Sequence, residues 1–592
     1  MRRALTAALI VLAALFVVPS AIAGRGGDGA KDNDTRLQIL AINDFHGHVE
    51  PNTPGTIQIG QTRSGSTIVN QTVPAGGAEY LATHVKALRG TNSKTITVGS
   101  GDLIGASPLL SGLFHDEPAI EALNVVGLDV SGVGNHEFDE GLGEIYRMMN
   151  GGCHPVDGCQ DGTPFLGSVF GYLAANVFFE GTDQTVLPPY EVRKVGNAKI
   201  AFIGMTLEGT PLIVTPSAIE GLEFRDEVQT VNNLIAKLKR NDIRTFVVLL
   251  HEGGFQNAPF SNANPAQGLP GWAGVDNCDN LQGAIVDIAK NISDEVDVIV
   301  SGHTHAQYIC RGANEIDGKL VTSAASFGRL VTDIDLVIDH ESKQVKSKTA
   351  RNVIVTQDVP KDPAVTAILD HYRVIADPIA NRVVGSVTQQ LLSTRDPGGD
   401  PDGDGEAPLG NVIADAQLEA TAPTDFGGAV IAFMNPGGIR GPVKYEVASG
   451  LDPVTYGELF TVQPFSNTLT VKTCTGANIQ AILEQQFDNP AAGQVRILTV
   501  SRGFNYSYDR TRPAGDRVLN NTVKLNGSPI VDSQSYRVEM NSFLATGGDG
   551  FSVFNRCTNQ LGGEIDLDAL VRYFMNHSPI SPPAEDRIVR LG

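Results

Sequence analysis

Long apolar stretches are scarce in this 592-residue chain. Beyond the first 23 residues no segment approaches the 18 uninterrupted apolar residues of a membrane helix. Positive charge is equally short: 44 Lys and Arg stand against 66 Asp and Glu, for a formal net charge of −22. So acidic a surface argues against nucleic acid or an anionic membrane as the principal partner. An anionic substrate would then need positive charge gathered at one place, which bound divalent metals would supply. No internal repeat is evident, and no low-complexity segment beyond one Asp/Gly/Pro loop at 396–405.

What is present begins with a secretory signal. Arg2 and Arg3 form its positive end, Ala4 to Val18 its apolar run, and Ala21-Ile22-Ala23 a small-residue cleavage site. Residues 1–23 are expected to be removed and 24–35 to be a flexible leader. The mature protein is expected to be secreted, soluble, monomeric and without a membrane anchor. Six cysteines, an even number in an exported chain, favour disulfides over metal thiolates. Cys153 and Cys159 share one loop and should pair. Among the three connectivities left, order along the chain suggests Cys278–Cys310 and Cys474–Cys557.

At roughly 100–200 residues per domain, the length implies two to four domains. From Leu37 the pattern alternates β and α. Strands are predicted at Leu37–Ile42, Thr95–Val98, Val130–Val133, Lys199–Ile203, Thr245–Leu250, Val296–Val300 and Leu320–Thr322, with helices such as Glu117–Val126 and Glu227–Lys239 between them. Continuous apolar strands imply a sheet covered on both faces, hence a layered α/β sandwich. Residues 36–358 are assigned to this first domain. Residues 359–384 form a connector, with a helix expected over Lys361–Val384 and serving as a hinge. A second α/β domain follows over 385–592, opening with helix Asn411–Thr421 and strand Val430–Met434. The run Asp400-x-Asp402-x-Asp404-Gly405 imitates a calcium loop but has Asn411 where the closing Glu belongs, so a solvated turn is expected.

Polar residues that ligate metals come just after the predicted strands. Asp44 and His46 follow the first, Asp102 the second, Asn135 and His136 the third. His251 follows Thr245–Leu250, and His303 and His305 follow Val296–Val300. The carboxyl ends of strands in an open α/β sheet face one crevice, so these segments can converge. Each piece alone has a structural reading; five in order, each at a strand end, point to a joint site. Carboxylate, imidazole and amide together suit Zn, Mn, Fe or Co. Two ligand groups sharing one carboxylate describe two ions roughly 3.5–4 Å apart, which activate a water and clamp an in-line displacement at phosphorus.

The blocks Asn43-Asp44-Phe45-His46, Gly101-Asp102, Gly134-Asn135-His136-Glu137-Phe138-Asp139, His251-Glu252-Gly253-Gly254 and Gly302-His303-Thr304-His305 resemble those of calcineurin-like metallophosphoesterases. With Leu409-Gly410-Asn411, Asn435-Pro436-Gly437-Gly438-Ile439-Arg440, Gln463-Pro464-Phe465-Ser466-Asn467 and Phe543-Leu544-Ala545-Thr546-Gly547-Gly548-Asp549, the chain is similar to the bacterial 5′-nucleotidase and UDP-sugar hydrolase family. The resemblance implies a four-layer α/β/β/α first domain and a separate α/β substrate-binding domain. It implies one divalent ion held by Asp44, His46, Asp102 and His305, and a second by Asp102, Asn135, His251 and His303. His136 with Asp139 would be the catalytic dyad, and Arg440 a phosphate clamp. Substrate contacts would come from Arg395, Asn435, Gly438, Phe465, Asn467, Phe543 and Asp549, the two phenylalanines sandwiching the base. His48 is expected behind the ligands or at the surface.

The activity expected is removal of phosphate from nucleoside 5′-monophosphates, with hinge closure bringing the domains together. Alternatives are a UDP-sugar or nucleotide-diphosphate hydrolase, a 2′,3′-cyclic phosphodiesterase, a sulfur-compound hydrolase, and an inactive nucleotide-binding surface protein. Asp139, in place of an amide, favours the monoester over the cyclic diester.

Overall fold

In the strand Thr35–Ile42, alternate side chains serve two different cores. Leu37, Ile39 and Ala41 lie with Ile200, Phe202, Val247 and Leu249 of other strands. Leu40 and Ile42 lie with the helical residues Leu81, Val85, Ile120 and Leu123. A strand buried on both faces reads as a continuous apolar run for this reason. The computed structural model describes residues 33–51, 55–65, 67–487, 489 and 494–592. The expected signal and nearly all of the leader lie outside the described residues.

Two six-stranded sheets form the first half. One runs in the order Val345–Ile354, Leu330–Ile338, Thr35–Ile42, Thr95–Ser100, Val130–Gly132, Gly171–Leu173, the last four parallel. The other runs Gln307–Cys310, Leu320–Ala324, Val298–Ser301, Thr245–His251, Ala198–Thr206, Tyr190–Val195, its central four parallel. Helices Ala78–Arg89, Glu117–Val126 and Pro363–Ala380 cover the first sheet. Helices Glu227–Leu238 and Ala284–Asn291 cover the second. The sheets meet face to face between them, which makes the four α/β/β/α layers.

The connector helix is shorter than expected. It spans Pro363–Ala380, starts behind the Asp362 cap and continues through Pro378. Val365, Leu369, Tyr372 and Ala376 are buried in the first core, and the Tyr372 ring lies 4.8 Å from Phe114. The helix is thus anchored on the first half, and Asn381 and Arg382 separate it from strand Val383–Val387.

The second half is built on a five-stranded mixed sheet in the order Thr499–Val500, Ile431–Met434, Ser535–Asn541, Thr468–Thr475, Thr558–Ile565. Leu409, Val412 and Ala416 of helix Pro408–Thr421 pack with Leu570 of helix Asp566–His577 and Met434 on one face. Ile479 and Leu483 of helix Gly476–Gln485 pack with Phe433 and Val538 on the other. The pairs Cys153–Cys159, Cys278–Cys310 and Cys474–Cys557 are all bonded. Loop 396–405 is no simple solvated turn: Asp404 is buried, and its carbonyl accepts the Tyr508 hydroxyl at 2.9 Å.

One buried group in the second half opposes folding at alkaline pH. Glu539, fully buried, has no hydrogen-bond partner for either carboxylate oxygen among the described residues. Burial, then the charge of Asp566, raises it well above the ordinary carboxyl range. Its folded pKa exceeds its unfolded one, so the protonated form is favoured by folding. That contribution is complete below the unfolded pKa of about 4.3 and is lost as pH rises toward the folded value. Glu539→Gln is expected to raise the thermal midpoint by roughly 2–4 °C for each kcal/mol recovered, more at pH 8 than at pH 5. Equal shifts at both pH values, read by calorimetry, would contradict this account.

Candidate active site

Five strands, three from one sheet and two from the other, end at a common point. Asp44 and His46 come just after Ile42, Asp102 after Ser100, and Asn135 shortly after Gly132. His251 ends its own strand, and His303 and His305 follow Ser301. All seven expected ligands therefore meet. Asp102 Oδ2 lies 3.6 Å from His46 Nε2 and 2.9 Å from His251 Nε2, a shared position between two groups. His46 Nε2 is 3.1 Å from His305 Nε2, His305 Nε2 is 3.5 Å from Asp44 Oδ1, and His303 Nδ1 is 3.1 Å from Asn135 Oδ1.

The backbone fixes which ring nitrogens are free. His46 Nδ1 donates to the Gly105 carbonyl at 2.8 Å, and His251 Nδ1 donates to the Ser100 carbonyl at 2.8 Å. A carbonyl only accepts, so in each neutral ring Nε2 keeps its lone pair and points inward. His251 Nε2, though close to Asp102, has no hydrogen-bond partner among the described residues. Burial pushes Asp44 up to about 7. Burial opposes charge on His251, yet Asp102 holds it up at about 10. Burial and the neighbouring His251 push His303 down to about 3. Buried carboxylates, imidazole nitrogens turned inward and one amide oxygen are a donor set that divalent cations fit, and the proton that Asp102 keeps on His251 would leave when a cation takes its place.

Holding this set has a conformational cost. Asp44, His46, Asp102, His303 and His305 all have positive φ, between 48° and 70°, although none is glycine; such strain gathers at functional sites. The Glu137 carboxylate, not anticipated as a site residue, pins two of the loops by accepting the amides of Asp102, Leu103 and Gly134. A Cβ on Gly134 would fall 2.2 Å from Asp102 Oδ1. Gly134→Ala should displace Asp102 and lower kcat/KM on the order of 10²-fold, since misplacement by about 1 Å costs that much; an unchanged rate would show that the loop relaxes freely.

Beside the cluster, His136 Nδ1 bonds Asp139 Oδ2 at 2.6 Å. Burial disfavours charge on His136, but Asp139 and Asp102 together raise its pKa. Across from it, the second half presents Arg440, brought down to about 9 by burial and by the charge of Arg395. A cavity of about 720 Å³ runs from the cluster into the second half and is bordered by Arg395, Arg440, Phe465, Asn467, Phe543 and Asp549. Asn435 and Gly438 border it too.

Residues 37–307 match the calcineurin-like phosphoesterase family, and residues 383–556 match the 5′-nucleotidase C-terminal domain. The chain is a two-domain metallophosphoesterase of the 5′-nucleotidase family. It is 32% identical over 93% of its length to Endonuclease YhcR of Bacillus subtilis, while spanning only 41% of that protein. It is 25% identical to the snake venom 5′-nucleotidase of Naja atra, over 93% of this chain and 98% of the other. The crystal structure of a Thermus thermophilus 5′-nucleotidase precursor superposes with a TM-score of 0.71 at 24% identity, covering 94% of this chain and 99% of that one, and shares its fold.

Asp549 has company that the motifs do not announce. It accepts from Asn435 Nδ2 at 2.8 Å through one oxygen and pairs with Arg496 through the other. Arg496 lies 53 residues from its partner in sequence, in no motif, and was not anticipated. Phe465 is turned toward the His136 loop, its ring 5.8 Å from His136 and within 17° of parallel, so the two halves touch here. His48 is buried against Phe327, ring centroids 3.9 Å apart, and Phe327 in turn backs His46 and His305.

Proposed function

We propose that this protein is an exported hydrolase that releases phosphate from nucleoside 5′-monophosphates with the help of two divalent metal ions. The observation that carries the reading is the meeting of seven ligand-type side chains beside a cavity that Phe465 and Phe543 of the second half also line. Asp44, His46, Asp102 and His305 would hold one ion; Asp102, Asn135, His251 and His303 would hold the other. When bound, the pair supplies an activated water and neutralises phosphoryl oxygens.

The chain's own residues account for the rest. Arg440 and Arg395 draw the phosphate into an otherwise acidic protein and orient it. His136, its Nδ1 proton held by Asp139, presents Nε2 to the developing charge. Phe465 and Phe543 receive the base by stacking, which tolerates any base because every base has a π-face. A second reading, a substrate with a further phosphate, draws support from Arg395, Arg440 and Arg496 bordering one cavity, of which Arg496 alone pairs with Asp549. The endonuclease activity named for the Bacillus relative finds no support in a chain of net charge −22.

The test is phosphate release from AMP with and without chelator, beside UDP-glucose and a 2′,3′-cyclic nucleotide. Release from AMP that a chelator stops is expected; no metal-dependent release from any substrate sinks the reading. Replacing Phe465 and Phe543 together by Ala should raise KM for AMP by roughly 10-fold or more, from stacking worth about 1–3 kcal/mol per ring. KM for a simple aryl phosphate should move far less, and equal changes would overturn the base clamp.

A further inference from the structure

Asp549 stands where two loops of the second half meet at the cavity wall. Its turn packs on Phe543: a Cβ on the adjacent Gly548 would fall 2.6 Å from that ring. Its Oδ2 accepts from Asn435 Nδ2 at 2.8 Å, and Asn435 opens the loop that carries Arg440. Asn435 is itself fixed, its Oδ1 accepting from Asn541 Nδ2 at 2.9 Å. The other oxygen, Oδ1, accepts from Arg496 Nη1. The Asp549 backbone is held at φ 54°, a conformation that costs a non-glycine residue energy and gathers at ligand sites. For a nucleotide with its base on Phe465 and Phe543 and its phosphate at Arg440, the sugar falls beside this carboxylate.

We propose that Arg496 is a positioning residue for sugar recognition: it sets Asp549 as the acceptor of a vicinal diol, so that the enzyme selects ribonucleotides over nucleotides lacking the 2′- and 3′-hydroxyls. The inference rests on the nucleotide reading above. An ionised carboxylate offers about four lone-pair directions and no donor. Arg496 takes one on Oδ1 and Asn435 one on Oδ2, which fixes the plane of the group and leaves one direction on each oxygen. Two adjacent hydroxyls of one sugar ring fill both at once; a sugar without them fills neither. The charges belong together as well. The Asp549 side chain is 5% exposed and that of Arg496 29%, and a carboxylate so enclosed needs a charged, hydrogen-bonded partner. Burial, then the charge of Arg395, brings Arg496 down to about 10, so it is cationic at neutral pH.

The experiment compares AMP, 2′,3′-dideoxy-AMP and ADP as substrates of the parent, Arg496→Gln, Asp549→Asn and the double variant. Circular dichroism and metal content are recorded for each. The parent is expected to favour AMP over the dideoxy compound by roughly 100-fold in kcat/KM, about tenfold for each hydrogen bond to a charged group. Arg496→Gln should shrink that preference by about tenfold or more, through KM for AMP, and affect the dideoxy compound far less. The double variant removes both charges and leaves no lone buried carboxylate, so it reads the pair even where a single variant folds poorly. Its preference should equal that of Asp549→Asn, because Arg496 acts through Asp549. Equal losses on AMP and the dideoxy compound, or a further loss of preference in the double variant, overturn the inference. A loss confined to ADP overturns it too, since Arg496 would then serve a second phosphate. No release from AMP by the parent sinks the nucleotide reading itself, and this inference with it.

Discussion

Asp102→Asn is expected to lower kcat/KM on AMP by three orders of magnitude or more and to reduce bound metal at the Asp102 cluster. Asp102 Oδ2 stands between His46 Nε2 and His251 Nε2, where no other carboxylate can replace it. An amide keeps the shape but loses the charge that both halves of the ligand set share. Metal assistance is worth several kcal/mol of barrier, and each ~1.4 kcal/mol is tenfold in rate, so a loss on the order of 10³-fold follows. Asp102 is also held by the amide of His136 at 2.9 Å, a contact that asparagine's oxygen can keep. The fold should therefore survive, and circular dichroism beside elemental analysis separates lost ions from lost structure. A variant that keeps full metal content and full rate would remove Asp102 from the centre of the site.

The second large effect concerns the dyad. His136→Ala should cost ~10²–10⁴ in kcat, the span of positioned proton-transfer and charge-stabilising groups, while bound metal stays unchanged. His136 meets the ligand set through its backbone amide on Asp102 and a ring 5.0 Å from that of His46, with a ring nitrogen within 4.8 Å of ligand atoms of His46 and Asp102. Because Phe465 stacks on the same imidazole, KM should rise as well, by less than kcat falls. Loss of metal in this variant would make His136 a ligand instead of a partner of the reaction. Asp139→Asn should fall between the parent and His136→Ala, since the ring stays while its oriented charge weakens.

The ligands were legible in sequence because each follows a strand whose two faces are both buried. A run such as Phe246 to Leu250 followed by a single His251 marks a strand's end, and five such ends in order pointed to one site. The phenylalanines, Asn435 and Asp549 were legible only through motif resemblance, since a Phe in a loop is otherwise ordinary core. Arg496 and Glu137 were not read. Arg496 meets Asp549 through the sheet order of the second half, a long-range pairing that no local period encodes. Glu137 lies inside a motif, but its task of bridging three backbone amides depends on two loops crossing. The connector helix was placed correctly, and its apolar side at Val365, Leu369, Tyr372 and Ala376 is the mark of a packed helix. The loop at 396–405 looked solvated from composition, and burial of Asp404 depends on Tyr508, about a hundred residues away.

That the seven side chains come from both sheets has a consequence for how the molecule would hold ions. An unfolded or half-assembled chain holds no such set, so ions held there would bind the native state alone. Their capture is thermodynamically part of folding. At free ion concentrations a hundredfold above Kd, one such site adds about 2.7 kcal/mol to stability. The melting temperature of the protein is then a reading of the trace-metal content of its surroundings.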